Sequence, residues 1–238
     1  MKSYRFFAIG STVLLVIYLV ANLNKPQPYD WNISLKKQDK NPFGAYIIYE
    51  QLKHIFPKAS IESFREPVYN RLQNKFEKST AYVLIAPKLM LSELDIDELL
   101  DFTSNGNSVL LSANDYSKNL LDTLGISLSS GTLLNQSSRK IQLVAKSVKD
   151  TSWYEMRGPI QQDAYFDSLK RNNNTFILGV NENMQPNFIK IKMGEGCIYV
   201  HANPTVFSNY FLLHKNNAKY TQTVLSFLPE KTTAVFWD

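Results

Sequence analysis

The sequence predicts an α/β fold: a mostly parallel, doubly wound sheet carrying an antiparallel β insertion, preceded by one transmembrane helix. Three observations carry this expectation. Ala81 to Asn114 reads AYVLIAPKLMLSELDIDELLDFTSNGNSVLLSAN. An apolar β-forming run, an amphipathic helical run and a second apolar run follow one another there, a unit that needs a parallel sheet covered by helices. From Ile126 to about Lys192 this alternation gives way to short strand-like segments between turns. Phe6 to Leu23, FFAIGSTVLLVIYLVANL, contains no charge.

The composition fits this plan. The 238 residues, 44% hydrophobic and 13% aromatic, suffice for one good-sized domain with extras. The net charge of +5 is modest, and Lys2 and Arg5 lie ahead of the apolar run. No basic stripe follows, so no nucleic-acid partner is expected. Cys197 is the single cysteine, which excludes an intrachain disulfide and a multi-cysteine zinc site.

At the N-terminus, residues 1–5 form a short basic tail and residues 6–23 an anchor. Eighteen helical residues span about 27 Å, enough to cross a bilayer. Lys25, Pro26 and Pro28 end the run. A basic start and an apolar centre also suit a cleaved signal peptide. The run is long for a signal core, however, and no small-x-small site follows it. It is apolar on all faces, unlike a buried core helix. Lys2, Arg5 and the α-amino group favour a cytoplasmic N-terminus. Lys25, Lys36, Lys37 and Lys40 oppose this, but only Lys25 adjoins the membrane. The expected protein is single-pass, with residues 24–40 as a polar tether and 41–238 as an extracytoplasmic domain. Sequons stand at Asn32, Asn135 and Asn173.

Within the domain, Asn41-Pro42-Phe43-Gly44 opens a helix to about Phe56, stopped by Pro57. Ala59 to Phe64 reads as a strand and Val68 to Phe76 as a helix. Tyr82 to Ala86, Ser92 to Phe102 and Ser108 to Ser112 form the central unit, with Asn105-Gly106 ending its helix. A helix near Tyr116 to Leu124 ends at Gly125. This is the alternation of a flavodoxin-like sheet. The insertion, about 126–192, contributes strands at Lys140 to Ala145, Thr175 to Val180 and Phe188 to Met193. Asn172-Asn173-Asn174 and Gly194-Glu195-Gly196 supply turns. Cys197 to His201 is a buried strand, and Cys197 packs there as a small apolar residue. Pro204 to Leu213 and Asn217 to Leu228 read as helices, and Ala234 to Trp237 as a final strand.

Ligands of such sheets bind beyond the C-terminal strand ends. Pro87, Ser112, Asn114, Asp115, His201 and Asn203 should converge there as a polar pocket. The plainer account makes Asn114 or Asp115, and Asn203, helix caps. His201 stands where catalytic histidines often sit, but Cys197 lies about 13 Å back along the same strand, too far to pair with it. There is no G-x-S-x-G, no G-x-G-x-x-G and no Walker sequence, so neither catalytic residues nor a cofactor are assigned. His54, His201 and His214 share no ligand spacing, and no metal is assigned. Glu93, Asp95, Asp97, Glu98 and Asp101 read as the solvated face and dipole-favoured start of one helix.

Four stretches together carry a resemblance. They are the anchor with its tether, Asn41-Pro42-Phe43-Gly44, Tyr82 to Pro87 with the following helix and Asn105-Gly106-Asn107, and Gly194 to Asn217 with His201-Ala202-Asn203-Pro204 and Phe207-Ser208-Asn209. The chain resembles the membrane-anchored domain-of-unknown-function family numbered 4350. That resemblance implies a fold similar to class I glutamine amidotransferases and to extracytoplasmic domains of gliding-type ABC transporter auxiliaries. It also implies work in a membrane complex, since members are often encoded beside MoxR-type AAA ATPases and proteins with von Willebrand A-like domains. The amidotransferases use an elbow cysteine and a His-x-Glu after a late strand. Here Asn203 replaces the glutamate of His201-Ala202-Asn203 and no elbow cysteine exists, which implies binding without turnover. The family tends to run on to a second membrane span, so a chain ending at Asp238 is either a short member or a truncated one.

The expected function is that of a non-catalytic, membrane-anchored binding or scaffold domain of an envelope complex. The alternatives are an amidotransferase-like or hydrolytic enzyme using His201, and a sugar- or peptide-binding module with an aromatic cleft from Trp153, Tyr154 and Tyr165. The uncharged run without a cleavage site predicts that the anchor stays attached. Intact-mass measurement of the membrane-extracted protein should show residues 6–23 present. A mature N-terminus between Asn22 and Lys25 would refute this.

Overall fold

The computed structural model describes residues 2–25, 28–73, 78–132, 138–158, 162–169 and 174–238. Two compact units result, Met1–Asp30 and Trp31–Asp238. In the first, helix α1 (Lys2–Leu23) contains one stretch, Tyr4–Leu23, long and apolar enough to cross a membrane. The sequons at Asn135 and Asn173 lie outside the described residues.

The second unit runs in chain order through α2 (Tyr46–Ile55), β1 (Ser60–Ser63), α3 (Val68–Leu72), β2 (Thr80–Ile85) and β3 (Lys88–Leu89). It continues with α4 (Glu93–Ser104), β4 (Ser108–Ser112), β5 (Asp115–Tyr116), α5 (Lys118–Leu124), β6 (Ile126–Thr132) and β7 (Ser138–Leu143). Then come β8 (Tyr154–Arg157), β9 (Gln162–Leu169), β10 (Thr175–Asn181), β11 (Pro186–Met193) and β12 (Gly196–His201). A 3-10 turn (Pro204–Phe207), α6 (Asn209–Leu213), α7 (Asn217–Leu225) and β13 (Ala234–Trp237) complete it.

Alternation along β2 shows how the layers form. Ala81, Val83 and Ile85 face one core with Ile48 and Leu52 of α2, Phe211 of α6 and Val224 of α7. Tyr82 and Leu84 face the other, with Val68 of α3, Ile96 and Leu99 of α4 and Leu120 of α5. A strand buried on both faces reads as an unbroken apolar run, as this one does. The main sheet has nine strands in the order β1-β13-β2-β4-β12-β11-β10-β7-β8. The pairings from β1 to β12 are parallel and those from β12 to β8 antiparallel. The sheet is therefore mixed in equal parts rather than mostly parallel. The insertion causes this, because β7, β8, β10 and β11 extend the parallel half. β6 and β9 pair as a separate two-stranded sheet, and β3 and β5 as another.

Several local expectations change. Asn41 to Gly44 is a turn, and α2 begins only at Tyr46. The compact unit starts at Trp31 rather than Asn41, because Leu35 is buried in the core and its N–H bonds Phe43 O at 2.8 Å. Pro204 to Leu213 is two pieces, since Ser208 caps α6 through Phe211 N. Helix α3 ends at Leu72, and residues 74–76 of the predicted helix lie outside the described residues. Cys197 is only half-buried. It stands one residue past the Gly194–Gly196 turn, at the start of β12, and packs against the edge of the core.

Two asparagines fasten the layers. Asn107 Oδ1 accepts from Thr80 N at 2.9 Å, and its Nδ2 donates to Phe102 O at 2.9 Å. It ties the start of β2 to the end of α4. Asn209 Nδ2 donates to Asp39 O (2.9 Å) and Asn41 O (2.8 Å), while its Oδ1 accepts from Ile47 N (2.9 Å). It ties α6 to the turn before α2. Gly44 permits that turn, because a Cβ there would collide with the Asp39 carbonyl. Asn209→Ala should cost about 2–3 kcal/mol, since it strands three backbone groups in a part-buried site. Denaturant melts with an unchanged m-value should show this loss, and a loss under about 0.5 kcal/mol would refute it.

Candidate functional site

The C-terminal ends of β2, β4 and β12 leave a cleft of about 600 Å³. Four of the residues expected there, Pro87, Asn114, Asp115 and Asn203, line it. Strand ends deliver all four: Pro87 follows β2, Asn114 and Asp115 follow β4, and Asn203 follows β12. Ser112 and His201 do not line it; both are fully buried at the last positions of their strands, where they pair with each other in register.

His201 is fixed by its neighbours. Nδ1 accepts from Asn203 N at 3.0 Å, and Nε2 lies 3.0 Å from Tyr220 Oη. An Nδ1 that accepts an N–H carries no proton, so Nε2–H donates to Tyr220 and the ring is neutral. Burial without an ionic partner pushes its pKa down to about 3. Its carbonyl accepts from Tyr116 Oη (2.9 Å), Ala113 N (3.2 Å) and Ser112 Oγ (3.2 Å). Burial raises the Tyr116 hydroxyl pKa far above its ordinary value, so it stays a donor. Together these bonds lock the end of β4 to the end of β12 directly beneath the cleft.

The capping expectation fails for Asn114 and Asp115 and holds for Asn203 in position alone. Ser117 stands at the N-cap of α5, and Asn203 precedes the 3-10 turn without a side-chain cap bond. Instead Asn203 Oδ1 accepts from Asn187 Nδ2 at 3.0 Å, and its Nδ2 reaches Ala164 O at 3.4 Å. Asn203 thus joins β11 and β9 at the cleft floor. On the rim, Lys88 and Asp115 form an ion pair at 3.3 Å across β3 and β5.

Sequence reasoning missed the other lining residues, which besides Lys88, Met156 and Thr205 come from two distant segments. Asn32 and Ile33 lay in the presumed tether, and Leu128, Ser129 and Ser130 in the insertion. No motif marks them; only the tertiary pairing of β6 with β9 brings that strand to the cleft. The proposed aromatic cleft does not form. Tyr154 is buried on β8 against Tyr220, Trp153 is exposed, and Tyr165 lies on β9 of a different sheet. The acidic cluster on α4 is likewise structural at its one buried member. Asp95 accepts from Tyr69 N, Ser92 N and Ser92 Oγ, a capping box that also docks α3.

The His201 geometry predicts a pH signature. The folded state resists protonation to about pH 3, whereas an unfolded histidine protonates near 6.5. The unfolded chain therefore binds the extra proton between these values, and stability falls as pH drops through this window. This residue should contribute a slope of up to about 1.4 kcal/mol per pH unit. His201→Asn should flatten the slope by that amount. At pH 7, His201→Ala should cost about 1–3 kcal/mol, and His201→Asn less. Denaturant melts at pH 7 and pH 5 test both; equal slopes in wild type and His201→Asn would show that the ring is not held neutral.

Known structures align with this chain. The mmIFT52 N-terminal domain aligns with a TM-score of 0.57 at 12% identity, over 78% of this chain and 90% of that one. The likeness is one of fold alone. Cytoplasmic Protein STM1381 from Salmonella typhimurium LT2 aligns at 0.42 and 10% identity, over 76% of this chain and 86% of that one. A β-galactosidase from Bacillus circulans sp. alkalophilus aligns at 0.39 and 12% identity, over 60% of this chain and 22% of the enzyme. No curated protein sequence matches the chain. Matched by the family model over residues 37–225, most of its length, the chain belongs to the family described as Domain of unknown function (DUF4350).

Proposed function

We propose that this protein is a membrane-anchored, extracytoplasmic binding or scaffold component of an envelope assembly, and that it performs no turnover. The domain is read as a doubly wound, flavodoxin-like sheet of the amidotransferase kind that has kept the ligand-binding edge and not the chemistry. The observation that carries this is the state of His201. At the position where an amidotransferase would hold its base, the ring is sealed under the cleft, with both nitrogens committed. The polar groups open above it are amides, hydroxyls and one ion pair, set beside Ile33, Leu128 and Met156, and they are groups that recognise rather than transform.

The anchor supports a cytoplasmic N-terminus, with the domain outside and residues before Trp31 as its tether. MoxR-type AAA ATPases and von Willebrand A-like proteins are the partner classes that the family resemblance suggests. No cofactor and no metal are assigned to the cleft.

The test is affinity purification of the full-length protein from detergent-solubilised membranes. A partner should co-purify with the wild type, and a Lys88→Ala/Asn114→Ala variant should recover it about tenfold less, as expected for loss of central contacts. Both positions lie on the cleft rim, so the variant should melt like the wild type. Lost function in His201→Asn at an unchanged melting temperature would overturn the non-catalytic reading.

A further inference from the structure

We propose that the cleft binds an extended peptide segment by strand addition to β6, an inference that rests on the binding reading above. Leu128, Ser129 and Ser130 are consecutive, and all three line the cleft. Consecutive strand residues point their side chains to opposite faces. A cavity reached by three in a row therefore runs along an edge of the strand. One edge is already taken, because β6 pairs with β9 from Ile126↔Leu169 to Thr132↔Gln162. That sheet has two strands among the described residues, so the cleft borders the open edge of β6.

Among the described residues, no main chain other than β9 bonds the backbone of Leu128, Ser129 or Ser130. Ser129 Oγ is engaged by Asp167 on β9, at 2.6 Å. An antiparallel ladder sends the N–H and C=O of alternate residues to each side. Among three consecutive residues, at least one presents both groups to the cleft. An extended main chain is the ligand whose donors and acceptors repeat at that spacing. The facing wall adds the side-chain amide of Asn114 and the Lys88–Asp115 pair, whose side chains are 70% and 46% exposed. That pair offers both signs of charge to the ends or side chains of a peptide. A saccharide fits less well, because among the described residues no aromatic side chain lines the cleft for a sugar face to stack on.

The test pans the full-length chain, in detergent micelles, against phage-displayed random decapeptides. Enriched sequences are then synthesised unmodified and with alternate residues N-methylated, in each of the two registers. The unmodified peptides should bind and slow amide exchange within residues 126–132. N-methylation in one register should weaken binding about tenfold or more by removing ladder hydrogen bonds, and in the other should have little effect. Ser130→Trp, at an exposed position, should abolish enrichment, and Ser130→Ala should preserve it. Absence of enrichment, equal binding in both methylated registers, or protection elsewhere than β6 overturns the proposal. The broader binding reading falls separately, only when the membrane co-purification yields no partner that depends on the cleft.

Discussion

Where strands of unequal length meet, backbone groups lose their ladder partners, and in a buried setting each must find another. This protein solves that problem with buried side-chain amides. Asn107 serves the first residue of β2 and the last turn of α4. Asn209 serves the turn before α2 and the first turn of that helix. Asn203 joins β9 and β11. The two cores depend on these ties, since the apolar packing on each face is only as well placed as the elements that carry it. An amide can donate and accept at once, which makes asparagine suited to such joints.

The same economy explains why the ends of β4 and β12 are so stiff. The carbonyl of His201 accepts a hydroxyl hydrogen bond from each of Tyr116 and Ser112, and the ring bridges Asn203 N to Tyr220. Tyr220 in turn packs against Tyr154 of the edge strand. The residue before Tyr220 on α7 adds an ion pair to the same corner: Lys219 pairs with Asp150 at 2.6 Å, and Tyr154 Oη donates to that carboxylate at 2.7 Å. Those bonds keep the Asp150 carboxyl well below its ordinary pKa. The cleft thus sits on a floor with few soft joints, a fitting base for recognition by fixed groups.

The parallel half of the fold was legible because burial on both faces leaves an unmistakable pattern. Ser108–Ser112 and Ala234–Trp237 are strands with the bounds their sequences suggest. Asn105-Gly106 ends α4 as its chemistry requires, with Gly106 at φ 95°. The insertion was legible in kind but not in detail. β6 and β9 carry alternating serines and acids, as in Ser127, Ser129 and Asp167, which bond one another and look like loop residues in isolation. Their strand character comes from pairing across about 40 residues, which no local window contains. The cleft was legible on the side built by strand ends, at Pro87, Asn114, Asp115 and Asn203. It was hidden on the side built by β6 and by Asn32, because proximity there is purely tertiary.

The position of β13 has a kinetic consequence. In the sheet it separates β1 from β2, pairing Ser60 with Ala234 on one side and Thr80 with Ala234 on the other. Among the described residues β1, the earliest strand of the sheet, therefore has no hydrogen-bonded strand neighbour until β13, the latest, is in place. Closing that pair spans nearly the whole domain, the kind of long-range contact that slows folding. While it waits, β1 and one flank of β2 remain unpaired edges open to wrong partners. Their exposure ends only when β13 docks between them, so the order of pairing, more than the strength of any one pair, sets how long these edges stay open.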